Sequence, residues 1–260
     1  MILAILQARM GSTRLPGKVL KPILGEPMLF RQIERLQRCR SFDALIVATS
    51  TDASDDPLVA ACQARSISVA RGSVDDVLGR FVTAIGSARP DTIVRLTGDC
   101  PLADPDVIDA VVRFFSEGNF DYASNVDPPT FPDGLDVEVM RTASLLQAHR
   151  EAKLPSEREH VTPFLRNHPE LFKLGCYRGE TDLSGLRWTV DEPADFDFVS
   201  QVYKRLYPTN SNFRMADVLE LLRVDPSLTA INNQFGRNEG FTKSMTEDQL
   251  RSMRRAKVEE

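Results

Sequence analysis

An apolar run from Met1 to Leu6 breaks at once into Gln7-Ala8-Arg9-Met10-Gly11-Ser12-Thr13-Arg14-Leu15-Pro16-Gly17-Lys18, and this junction limits the chain more than any other feature. The run is short and continuously apolar, the pattern of a parallel strand buried on both faces. Gly11 and Gly17 permit a sharp turn and let main-chain N–H groups approach an anion with no Cβ in the way. Arg9, Arg14 and Lys18 add positive charge, arginine able to fork two oxygens and lysine acting as a point charge. A buried strand feeding a cationic turn predicts an α/β chain with a phosphate cradle, and this much charge suits a triphosphate. The spacing is not that of a P-loop, because five residues separate the glycines and Val19 follows the lysine where Ser or Thr would stand. Nor is it a dinucleotide fingerprint.

With 260 residues and 42% hydrophobic content, the chain can bury a full core as one α/β domain with a small appended lobe. A net charge of −5 argues against a nucleic-acid or membrane-surface polyanion as partner, so the basic turn is a local exception whose ligand should be small. Cys39, Cys62, Cys100 and Cys176 lie far apart, without the paired spacing of a zinc site or a disulfide framework, which points to free thiols in a reducing cytosol. The first apolar run is too short for a signal peptide, and no later run approaches the roughly 20 apolar residues of a membrane span. A soluble, cytoplasmic protein is expected.

Strand-like runs at Ala44 to Thr49, Ile67 to Ala70 and Thr92 to Leu96 alternate with helical patterns at Met28 to Arg38, Pro57 to Arg65 and Val74 to Gly86. That alternation predicts βαβ units and a parallel sheet. Asp104-Pro105 marks the start of another helix, to Glu117, with a capping residue followed by proline in the first turn. Ligands of doubly wound sheets sit outside the carboxyl ends of the strands. The Gly11 turn and Thr97-Gly98-Asp99-Cys100-Pro101 both fall at such ends. From Tyr122 the rhythm changes: Pro132-Asp133-Gly134 leads into the alternating Leu135-Asp136-Val137-Glu138-Val139, a half-exposed strand with Asp136 and Glu138 on one face. A lid or substrate lobe is expected at about 125–177, with a return to the core at Arg187-Trp188-Thr189-Val190-Asp191. Helices are expected from Glu192-Pro193 to about Tyr207 and from Met215 to Arg223, and a charged tail closes the chain.

Asp99, at the end of a core strand, and Asp191, just ahead of a helix, are the acidic signals. Magnesium bound with phosphates uses one or two carboxylates and completes its shell with phosphate oxygens and water. Each aspartate has a plainer reading as a helix cap.

The first motif, together with Thr97-Gly98-Asp99-Cys100-Pro101-Leu102 and Trp188-Thr189-Val190-Asp191-Glu192-Pro193, resembles the cytidylyltransferases that make CMP-activated acidic sugars, and among them the spore-coat polysaccharide biosynthesis F-type branch. Further matches are Gly72-Ser73 with Asp76-Val77-Leu78 and Arg80-Phe81, Pro132 to Glu138, Glu157-Arg158-Glu159-His160-Val161-Thr162-Pro163, and Arg237-Asn238-Glu239-Gly240. The resemblance implies a Rossmann-like nucleotidyltransferase with a mixed, mostly parallel sheet over about 1–235, the inserted lobe within it, a tail at 236–260, and often a dimer joined through that lobe. It implies CTP as nucleotide and Mg2+ as cofactor, held by Asp99 and Asp191. Ala8, Arg9, Gly11, Ser12, Arg14, Lys18 and Gly98 would bind the nucleotide phosphates, with Ser73 and Arg80 beside the base and ribose. Arg14, Lys18 and Asp99 would carry catalysis, by attack of an acceptor oxygen on the α-phosphorus and loss of pyrophosphate.

Asp136, Glu138, Arg158 and His160 are the candidates for reading the acceptor, the alternative being a charged interface or rim. An acidic sugar is the implied acceptor, and a phosphorylated or phosphonate alcohol is the alternative. A nucleotide-sugar-dependent glycosyltransferase is the rival activity, but Asp99 is followed by Cys100-Pro101 and not by the Asp-x-Asp such enzymes usually carry. A non-catalytic nucleotide-binding subunit would be expected to have lost the loop lysine or the carboxylates, and all three are present.

Overall fold

The computed structural model describes residues 1–86 and 88–237. The elements along the chain are β1 (Ile2–Gln7), the short strands β2 (Pro22–Ile23) and β3 (Glu26–Pro27), α1 (Met28–Leu36), β4 (Ala44–Ser50), α2 (Asp56–Gln63), β5 (Val69–Gly72), α3 (Val77–Ile85), β6 (Thr92–Thr97), α4 (Pro105–Gly118), β7 (Tyr122–Ser124), β8 (Glu138–Arg141), α5 (Thr142–Glu151), α6 (Pro155–His160), α7 (Pro163–Asn167), β9 (Leu174–Cys176), α8 (Pro193–Leu206) and α9 (Met215–Val224). One sheet runs in the order β5-β4-β1-β6-β8-β7-β9. Its first four strands are parallel, β8 runs antiparallel to both β6 and β7, and β9 is parallel to β7. The mixed, mostly parallel sheet is the one expected.

Side chains of β1 alternate between two cores. Ala4 and Leu6 join the cluster under α1, α4, α8 and α9, whereas Leu3 and Ile5 join the cluster under α3, α5 and α7. A strand covered on both faces has no use for polar residues, which is why Met1 to Leu6 is apolar throughout. Each such Leu or Ile contributes about 1.5–3 kcal/mol by burial. The cap of α4 is as the sequence predicts, Asp104 Oδ1 accepting from Asp106 N at 2.8 Å with Pro105 in the first turn.

The region expected as a lobe at about 125–177 is continuous with the core. It supplies β8 and β9 to the central sheet and α5 to α7 to one of its faces. The strand expected at Leu135 to Val139 begins at Glu138, because Asn125 pins the preceding stretch with its side chain, Nδ2 donating to Leu135 O and Oδ1 accepting from Val137 N, both at 2.8 Å. Of the expected tail, residues 238–260 lie outside the described residues, as does the Asn238-Glu239-Gly240 part of the last motif.

Candidate active site

At the carboxyl edge of β1 and β6 the chain opens into a cleft of about 1000 Å³. The turn after β1 forms one wall. It is folded on itself, with Ser12 N and Gly17 N both donating to Met10 O, at 3.0 and 3.1 Å. Gly17 has φ +68°, a left-handed conformation that glycine adopts without strain. Asp55, immediately ahead of α2, accepts from Met10 N at 2.6 Å, and Leu15 and Val19 are buried. The turn is therefore fixed from both ends, and it aims Lys18 into the cleft while Arg9 and Gly11 stay exposed on its lip.

Lys18 is the centre of the arrangement. Its ammonium donates to Val190 O at 2.7 Å, to Asp191 Oδ1 at 2.8 Å and to Asp99 Oδ2 at 3.4 Å. Burial alone would depress its pKa, but the two carboxylates outweigh burial and raise it. Asp99 shows the converse: burial pushes its pKa up, while Lys18 and hydrogen bonds from Thr97 and Cys100 bring it below the usual carboxylate range. Arg14 adds contacts of 3.2 Å to Asp191 Oδ2 and 3.2 Å to Glu192 Oε1.

Two distant segments meet here because the backbone stitches them together. Val190 N donates to Asp99 O at 2.8 Å, and Trp188 N donates to Asp133 O at 2.6 Å. Asp195 accepts from the N–H groups of Asp191 and Glu192, each at 2.9 Å, capping α8. Arg187 binds Asp195 at 2.9 Å, Asp133 at 3.2 Å and Asp191 at 3.4 Å, so one guanidinium fixes three carboxylates. Asp133 and Asp136 remain strained electrostatically. Burial lifts Asp133 to about 6 and Asp136 to about 7, against the opposing pull of Arg237.

Among the described residues no group of three or more His, Cys, Asp or Glu is placed to hold a metal unaided. Asp99 and Asp191 instead present two carboxylates to one point, the donor set of a magnesium ion that arrives with phosphates and draws its other ligands from them and from water. The residues fit that ion.

Of the residues singled out in the sequence, Ala8, Arg9, Gly11, Ser12, Arg14, Lys18, Gly98, Asp99, Asp136, Glu138, His160 and Asp191 all line the cleft. Ser73, Arg80 and Arg158 are not in its lining. Arg80 turns back onto its own loop, donating to Ser73 O at 2.7 Å and Val74 O at 2.9 Å. Arg158 donates to His149 O at 2.7 Å and pairs with Asp76 at the start of α3, which keeps it out of the cleft. Glu138 lines the cleft but is 4% exposed and bound by Arg95, Tyr122 and Thr162. Arg95, Asp133, Arg166 and Arg187 also line the cleft and were not foreseen. A signal existed for Arg95, the one charge in the strand Thr92-Ile93-Val94-Arg95-Leu96-Thr97.

A family model described as cytidylyltransferase matches residues 3–227. The spore coat polysaccharide biosynthesis protein SpsF of Bacillus subtilis is 35% identical over 211 residues, 78% of this chain and 87% of that protein. A 3-deoxy-manno-octulosonate cytidylyltransferase of Anaeromyxobacter dehalogenans is 35% identical over 120 residues, 45% of this chain and 48% of that one. The solved structure of a cytidylyltransferase from Leptospira borgpetersenii superposes with a TM-score of 0.83 at 33% identity, covering 88% of this chain and 96% of that chain. The match extends from β1 through α9, across both carboxylate segments and the cationic turn, and the chain belongs to the cytidylyltransferase family.

Proposed function

We propose that this cytidylyltransferase moves CMP from CTP to an acidic sugar, with magnesium bound and pyrophosphate released, as a step in the synthesis of a cell-surface glycan. The observation that carries the reading is Lys18, whose ammonium touches Asp99, Asp191 and Val190 O at once at the mouth of a nucleotide-sized cleft. An acceptor oxygen attacks the α-phosphorus, the bond to the bridging oxygen of the β-phosphate breaks, and pyrophosphate departs. Little covalent chemistry falls to the protein, so positioning and charge supply most of the rate. Lys18 and Arg14 exchange carboxylate partners for phosphate oxygens and neutralise the leaving group. Arg9, on the exposed lip of the turn, adds a further guanidinium to the triphosphate. Bound magnesium would supply charge neutralisation at the phosphates and orientation of the attacking oxygen, and Asp99 and Asp191 would hold it.

The sugar-acid acceptor is supported by what the relatives are named for, 3-deoxy-manno-octulosonate in one and spore-coat polysaccharide in another. A cytoplasmic location fits the free thiols and the lack, among the described residues, of a helix long and apolar enough to cross a membrane. A homodimer is the assembly proposed. The test is pyrophosphate release with magnesium and each nucleoside triphosphate in turn, against a panel of acidic sugars and phosphate esters. Release from CTP with an acidic sugar is expected. Turnover of UDP- or GDP-sugars with no pyrophosphate release from CTP would overturn the reading in favour of a glycosyltransferase.

A further inference from the structure

Arg187 stands four residues ahead of Asp191, and Arg237 opens a motif for which the phosphate chemistry has no use. Arg237 ends a segment that follows the short 3-10 helix Pro226–Ile231 and lies beyond the stretch 3–227 matched by the family model. Leu228 and Ile231 fix the start of that segment on the core, against α8 and α9. Arg187 is buried, and each of the five N–H groups of its guanidinium has an acceptor. Nε and Nη2 fork the carboxylate of Asp195, both at 2.9 Å, and Nη2 also reaches Asp191 Oδ2 at 3.4 Å. Nη1 donates to Asp133 Oδ2 at 3.2 Å and to Gly236 O at 2.8 Å. Asp195 in turn accepts from Asp191 N, so one buried ion pair holds Asp191 by its backbone and its side chain together.

The segment sets the aim of that pair. Asn232 is 2% exposed, and its Nδ2 donates to Arg187 O at 3.0 Å and to Asp195 Oδ1 at 2.8 Å. The amide thereby ties the backbone of the arginine to the carboxylate that its side chain grips. Gly236 O then takes Nη1, and Arg237 closes the segment by donating to Phe131 O at 3.0 Å and pairing with Asp136. Lys18 holds Asp191 Oδ1 at 2.8 Å while Arg187 holds Oδ2. An ammonium on a flexible stem can turn to phosphate, whereas a guanidinium forked onto buried Asp195 stays in place. We propose that Arg187 is the positioning residue of Asp191, keeping Oδ2 and leaving Oδ1 for the divalent ion once Lys18 turns to phosphate, and that residues 232–237 are the clamp that aims it. The proposal rests on the cytidylyl-transfer reading with magnesium and adds to it which residues, behind the carboxylates, set the affinity for the ion.

The experiment is calorimetric titration of CTP at stepped magnesium concentrations and again with EDTA. It yields the affinity for CTP alone and the magnesium concentration at which half of the tightening is reached. Arg187→Lys keeps a positive charge and loses the fork, and it should raise that concentration at least about tenfold, the usual cost of losing a partner behind a metal ligand. Asn232→Ala, and Arg237→Met combined with Asp136→Asn to remove the outer pair as a unit, should each raise it at least about threefold, with CTP affinity in EDTA within about twofold of wild type in all three variants. Far-UV circular dichroism identifies the variants that fold, and if Arg187→Lys does not, the two clamp variants decide. An unchanged magnesium requirement in folded Arg187→Lys overturns the role of Arg187, and an unchanged requirement in both clamp variants overturns the clamp. Equal loss of CTP affinity with and without magnesium reveals a general structural role and overturns both. Wild-type CTP binding that ignores magnesium overturns the metal assignment, failure of the wild type to bind CTP overturns the nucleotide reading, and the positioning role falls with either.

Discussion

Lys18 is a buried ammonium whose partners are the two carboxylates proposed to hold the metal, so its role in the resting protein differs from the one proposed for it in catalysis. At rest it keeps Asp99 and Asp191 from repelling one another, and in the proposed reaction it turns to phosphate once CTP is bound. Lys18→Ala and Asp99→Ala should each lower kcat by about 100- to 1000-fold, as loss of a charge aimed at the transition state does, while far-UV circular dichroism stays that of the wild type. Near-normal pyrophosphate release in either variant would remove that residue from the reaction. A second prediction concerns Asp136. A carboxyl lifted from 3.8 to about 7 holds its proton more tightly in the folded than in the unfolded chain. Its contribution to stability is therefore complete below the unfolded value and is lost as pH rises through about 7. Asp136→Asn lacks this loss, so its Tm relative to wild type should rise between about pH 5 and about pH 8, and a flat or falling difference would contradict the assignment. At this scale the sequence showed which residue types were present but not always which way they faced. Arg158 and His160 share one motif, yet the arginine points to Asp76 and the histidine lines the cleft.

The elements that build the site are held by close backbone contacts that composition cannot reveal. Gly134 has φ +106°, and a Cβ there would lie 2.5 Å from Thr189 N and 2.6 Å from Trp188 C. The segments at 132–135 and 187–191 therefore touch backbone to backbone, and Asp191 takes its position from that contact. Gly134→Ala should cost about 1–3 kcal/mol in a urea melt, from strain and overpacking together, and should lower turnover as Asp191 shifts. An unchanged urea midpoint would show that the contact is slack. Long apolar runs were legible: β1, β4 and β6 fall within a residue or two of expectation, because strands covered on both faces need uninterrupted hydrophobicity. β9 spans only three residues, too short for periodicity to register, so the sequence did not reveal that the segment expected as an inserted lobe at about 125–177 also supplies strands to the central sheet.

For the molecule as a whole, the doubly wound arrangement sets the turn after β1 and the end of β6 side by side, since those strands are parallel neighbours in the sheet. The return of the chain at Val190 then brings Asp191 to the same edge, from a position 92 residues beyond Asp99. That meeting was proposed from resemblance, not from pattern, because nothing in local sequence reports which loops converge. The central claim is that the cationic turn grips a triphosphate while Asp99 and Asp191 share a divalent ion. Calorimetric titration of CTP, with magnesium and again with EDTA, tests it most directly on the wild type and on Asp99→Asn combined with Asp191→Asn. Magnesium should tighten CTP binding to the wild type at least about tenfold and make no difference to the double variant. Equal affinity of the wild type with and without magnesium, or a magnesium effect that survives loss of both carboxylates, would contradict the account.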